Sequence, residues 1–265
     1  MSTAVIDRLA GSPRTHAFDR WIFVFTAATF VVITLAGFVP DSLNKMAAVA
    51  AGKRPPFPMV MHAHAVLMGS FLLLLLAQTY LAATDRVGWH KRLGISTVVI
   101  VPALVIVGFM LAPAIYHETV QAAQAAPPEA RPQLEAVVAR KENILLNQMR
   151  MGILCPLFIA IGLKARRQDA GLHKRMMILA TAVVLGPAIV RIPGLPTSFP
   201  TSPVATDLYM LLAIAPMVMW DIYRNGYVHR AYLIWLGIGV PFYAITYALW
   251  DTPWWHMTSR AILQS

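Results

Sequence analysis

A single cysteine, Cys155, is present among 265 residues. One thiolate excludes a disulfide framework and the multi-cysteine sets of structural zinc and iron–sulfur sites, so metal chemistry would fall to histidine, methionine or carboxylate. Charge is scarce as well. Only 13% of residues are Asp, Glu, Lys or Arg, against 58% hydrophobic, which excludes disorder and an ordinary soluble domain, where about 45–50% apolar is usual. There is no H-E-x-x-H zinc signature, no G-x-S-x-G nucleophile and no phosphate-cradling glycine loop. The histidines are His16, His62, His64, His90, His117, His173, His229 and His256, without the tight HxxxH or HxxHH clusters of membrane di-iron oxidases. The net charge of +10 comes from cations placed between long apolar runs. They read as topology signals beside anionic lipid, with no nucleic acid implied.

The apolar runs are the dominant feature. A hydrocarbon core takes about 20 residues of helix, and runs of this kind occur near 21–39, 60–82, 93–115, 146–163, 176–192, 206–222 and 231–250. The expectation is an all-α, multi-pass bundle of seven transmembrane helices in the cell membrane. It forms one integral membrane domain over 1–265: a cytoplasmic segment 1–20, a four-helix core 60–192 and two last helices 206–250. The fourth run is short and is expected to extend upstream through Leu134–Leu146, in a region that also reads as lying on the outer surface. Residues 193–204 carry Pro193, Pro196, Pro200 and Pro203, which no regular helix accommodates. With the N-terminus inside, the inner segments hold Arg8, Arg14, Arg20, Arg86, Lys91, Arg92, Lys164, Arg166, Arg167, Lys174, Arg175, Arg224 and Arg230, more than half of the 22 cations. The positive-inside rule therefore gives N-in, C-out.

A shift of 83 residues aligns 62–95 with 145–178 without a gap. It superposes Met68-Gly69 on Met151-Gly152, and Gly88-Trp89-His90-Lys91-Arg92 on Gly171-Leu172-His173-Lys174-Arg175. The pattern reads as a duplicated hairpin, helices two and three repeated as four and five. An even number of crossings separates the copies, so their symmetry axis lies along the membrane normal, with His90 and His173 at one depth. Two imidazoles facing each other across the core have the geometry of bis-histidine haem ligation; equally, each histidine can be an interfacial anchor beside its basic neighbours. At the other end the shift pairs His64 with Asn147. His62 and His64 stand about 200° apart around a helix and cannot serve one ligand together. A second haem would need His64 with a non-equivalent partner, for which His117 is the candidate.

These residues make the chain resemble the cytochrome b561 family of transmembrane haem proteins over residues 60–192. That resemblance implies a four-helix core with two b-type haems, one near each membrane face. His90 and His173 match one ligand pair; His64 matches one member of the other, where Asn147 replaces its partner. One haem b is implied by the complete pair. Arg92 and Arg175, with Lys91 and Lys174, are then candidates to pair with propionates at the inner face, and Arg150 and Arg191 at the outer. Asp221 is expected to meet Arg224 through solvent, and Met68, Met151, Met176 and Met177 to pack. Two functions follow. One is single-electron transfer, quinol-linked or through a redox partner protein, by a membrane oxidoreductase. The other is a haem-free accessory, assembly or transport protein.

Overall fold

A computed structural model describes residues 7–9 and 16–264; of the N-terminal segment 1–20, residues 1–6 and 10–15 lie outside the described residues. The described chain is helical: α1 (Ala17–Ala50), α2 (Met59–Ala83), α3 (Val87–Gly94), α4 (Thr97–Ala125), α5 (Arg131–Ala165), α6 (Ala170–Ala182), α7 (Gly186–Ile189), α8 (Val204–Asn225), α9 (Arg230–Leu249) and α10 (Pro253–Gln264). Six helices among the described residues are long and apolar enough to cross a membrane: α1, α2, α3 with α4 as one span, α5, α8 and α9. Side chains such as Val32, Leu73, Val99, Leu212 and Val240 project outward from these helices, as a lipid-facing surface requires. Local chemistry sets several ends. Asp169 caps α6 by accepting the Leu172 N–H at 2.7 Å, and Gly226 ends α8 in the left-handed conformation at φ +73°.

The run 176–192 is not one helix. α6 stops at Ala182, the chain turns through Val183–Leu185, and α7 adds four residues. Pro187 has no N–H to continue an α-helical ladder, and the residue before a proline avoids helical geometry. The broken backbone is tolerated because it is enclosed by protein: Ile178, Leu179, Leu185 and Ile189 are all buried. α1 comes very close to it at Gly37, where a Cβ would stand 2.1 Å from the Ala188 carbonyl oxygen. Gly37→Val is therefore expected to push α1 off α7 and lower the melting temperature of the detergent-solubilised protein, whereas Gly69→Ala, which meets nothing within 4 Å, is expected to leave it nearly unchanged. The upstream extension of the fourth run is continuous with it, since α5 carries Leu134 to Leu163 in a single helix and forms no separate surface element.

α2 packs on α4, α4 on α5, α5 on α6 and α6 back on α2, so these four close into a ring with α2 opposite α5 and α4 opposite α6. α1 lies outside against α2, α7 and α8, and α9 covers α5 and α6. The middle of the ring is filled by Phe71, Leu75, Leu104, Leu154 and Phe158. α3 starts and α5 ends at one end of this bundle; α10 docks against α5 and α4 at the far end.

Candidate functional site

His90 belongs to the short helix α3 and His173 to α6, so the two histidines approach across the ring. Their ring centroids are 6.3 Å apart and the planes stand at 89°. Each imidazole is oriented by the helix before it. His90 Nδ1 lies 3.2 Å from the Gln78 carbonyl, and His173 Nδ1 lies 2.9 Å from the Gly162 carbonyl. A carbonyl only accepts, so in the neutral ring Nδ1 carries the proton and Nε2 keeps its lone pair. Gln78 returns a bond from Nε2 to the His90 carbonyl at 3.1 Å, locking α2 to α3. Close packing makes this reach available: a Cβ at Gly94 would stand 2.8 Å from Gln78 Nε2, and one at Gly162 3.2 Å from Met176 Cβ.

Among the described residues, no group of three or more His, Cys, Asp or Glu side chains is arranged to hold a metal ion. Two imidazoles are two donors short of a tetrahedral zinc site. Two donors would suffice only for a group that brings further ligands of its own. An ion bonded to both Nε2 atoms at about 2 Å would hold the ring centres roughly 6 Å apart, close to the separation found. The carbonyl acceptors are the outer support that metal-bound imidazoles use.

The basic residues divide. Arg92 is exposed, two residues beyond His90, with its guanidinium 5.6 Å from the Trp89 ring, and Lys91 beside it is exposed too. Arg175 is different and corrects the expectation of a propionate partner. It is fully buried, and all its donors are used: by Asp221 at 2.6 and 2.5 Å, Asp7 at 2.7 and 3.0 Å, and the Gly171 carbonyl at 3.0 Å. Gly171 is required there, since a Cβ would lie 2.2 Å from Asp7 Oδ2. Burial would raise the Asp7 carboxyl, but the Arg175 hydrogen bond and charge outweigh it and hold the pKa below the ordinary 3.8. Lys174 bonds the Leu9 carbonyl and lies over the Phe23 ring. Asp221 does not meet Arg224 through solvent. It is buried against Arg175, Asn225 and the Tyr232 hydroxyl, while Arg224 pairs with Asp19.

Toward the far end, His64 on α2 rests against Gly108 of α4, its Cε1 3.9 Å from where a Cβ would stand. His117 is exposed, beside Tyr116, and sits nine residues, about 13 Å, beyond Gly108 along α4. The helix that carries both contacts therefore separates His117 from His64. His62 is exposed next to Phe57. Arg191 is held at the α1–α7 corner by Asp41 at 3.3 Å and the Pro187 carbonyl at 2.5 Å.

Arg150 forms a bidentate pair with Asp207 at 3.0 and 2.7 Å; Tyr247 donates to the same carboxylate at 2.7 Å, and the guanidinium lies 4.0 Å from the Tyr243 ring. Sequence reasoning missed this pair and its counterpart at Arg175. The available signal was Asp207 and Asp221 themselves. Fourteen residues apart on an apolar helix, they fall within about 40° of one face, and acids in such helices seek cations.

Comparison of the chain with protein-family models, with curated proteins and with solved structures gives no match.

Proposed function

We propose that the protein is a multi-pass cell-membrane haem protein that transfers single electrons, with one haem b between His90 and His173. The observation that carries this reading is the pair of imidazoles with centroids 6.3 Å apart and planes at 89°, each with Nδ1 against a backbone carbonyl, which leaves Nε2 as the atom to ligate. Haem bound there supplies a one-electron couple. His90 and His173 would both hold the haem iron and leave no open position for oxygen, while Gln78 and Gly162 fix the rings and the exposed Arg92 and Lys91 would be the partners for its propionates. The exposed Arg86, Lys91, Arg92, Lys164, Arg166 and Arg167 at the same end support placing it at the cytoplasmic face, N-in and C-out. A duplicated hairpin, with α6 and α7 as a broken seventh crossing, accounts for the near-equivalent acceptors of the two histidines. A quinol or a redox partner protein would supply the electron.

The buried Arg150–Asp207 pair is the observation that favours transport by a haem-free protein. Its carboxylate is already bound by Arg150 and Tyr247, which favours a clamp between helices over a carrier site. The experiment is a visible spectrum of the purified, dithionite-reduced protein expressed with ample haem supply. The reading expects sharp reduced bands of a six-coordinate b-type haem, and a preparation with no Soret band contradicts it.

A further inference from the structure

Two polar atoms in the far half of the ring have no partner. His64 Nδ1 and Asn147 Oδ1 are both buried without a hydrogen bond. They come from opposite corners of the ring, α2 and α5, at positions equivalent under the 83-residue shift. The residues around them keep partial exposure: His64, Met68, Gly69, Gly108, Asn147, Met151 and Gly152 are half-buried, whereas Phe71, Leu104 and Phe158 are buried in the core. An unmet buried polar atom costs about 1–3 kcal/mol, and at this depth bulk water is not at hand to satisfy it.

The pair is a poor second haem site. His64 lacks the carbonyl acceptor that orients both His90 and His173, and the residue opposite is an amide. It is a good site for a hydrogen-bonding ligand. Asn147 Oδ1 can only accept, and a neutral His64 accepts at Nδ1 in one tautomer; the complement is an apolar ring with hydroxyl groups at two edges. We propose that these two unpartnered atoms receive the head group of a quinol, with one hydroxyl donating to Asn147 Oδ1 and another to His64 Nδ1. The neighbouring face of α4 exposes Ile106, Phe109 and Met110, an apolar wall along which a lipid-soluble ligand can arrive from the bilayer. What the bound quinol is for rests on the electron-transfer reading; its binding does not.

The test is equilibrium binding of decylubiquinol to the full-length, detergent-purified protein, with haem content measured on the same samples. His64→Leu and Asn147→Leu are each expected to weaken binding about tenfold, the equivalent of one hydrogen bond, with unchanged helix content and gel-filtration profile. Asn147→Asp, which keeps an acceptor, is expected to retain more affinity than Asn147→Leu. Arg166→Ala, an exposed residue at the other end of the bundle, is expected to bind as the parent does. Quinol binding that survives both leucine changes overturns the proposal and leaves the two atoms to ordered water. So do two haems per chain with one lost in His64→Leu. Normal quinol binding by protein without a Soret band would uphold this site while removing the haem reading.

Discussion

Asp207→Ala is expected to destabilise the protein by about 3–5 kcal/mol, the cost of breaking a buried ion pair from one side. The change leaves the Arg150 guanidinium, 5% exposed, with only the Tyr243 ring for company, and Tyr247 loses its acceptor. The same substitution at Asp221 is expected to cost less, because Arg175 keeps Asp7 at 2.7 Å and the Gly171 carbonyl. Residual partners, not burial, decide the order, since Arg175 is the more deeply buried of the two arginines. Thermal melts in detergent read both effects. A paired Arg150→Met, Asp207→Leu protein should recover most of the loss, because an apolar pair of similar volume is often neutral. If Asp207→Ala melts with the parent, the clamp is not structural.

His90→Ala and His173→Ala are each expected to abolish the six-coordinate b-type spectrum while leaving the fold intact. Neither ring carries the core. Both are half-buried at one end of the bundle, and each makes one ring hydrogen bond, so removal costs on the order of 1 kcal/mol. Losing one of the two proposed ligands would remove half of the protein's hold on the iron. Gln78→Ala should be milder: it removes the Nε2 bond to the His90 carbonyl but not the Gln78 carbonyl that accepts from His90. Low-spin bands that persist in both alanine variants would move the ligands elsewhere.

Much of the fold is readable from hydropathy, because six crossings are uninterrupted apolar runs whose backbones can satisfy themselves only as helix. The break after Ala182 is signalled by Gly186-Pro187, yet run length alone hides it. That His90 and His173 belong together is legible in their shared Gly-x-His-Lys-Arg. The environments of the arginines that follow are not. Arg92 and Arg175 occupy the same place in the motif, but one faces solvent and the other faces Asp221 of α8, a contact across 46 residues. Pairings of this kind, including Arg150 with Asp207, depend on which helix packs outside the ring, and local sequence does not encode that. They also give α8 and α9 a role: Asp207 and Asp221 from α8, with Tyr247 and Tyr232 from α9, fasten both helices to the core at two depths.

Electron paramagnetic resonance of the oxidised, haem-supplied protein is the decisive measurement for ligation by His90 and His173, because it would report how the two rings are oriented as well as whether they bind. Imidazoles that held a haem iron with their planes still near 89° would leave its dxz and dyz orbitals nearly equal in energy, so a strongly anisotropic low-spin ferric signal is expected, and it should disappear in His90→Ala. A high-spin signal, a low-spin signal of parallel rings, or no ferric signal from clean protein would overturn ligation by this pair of histidines.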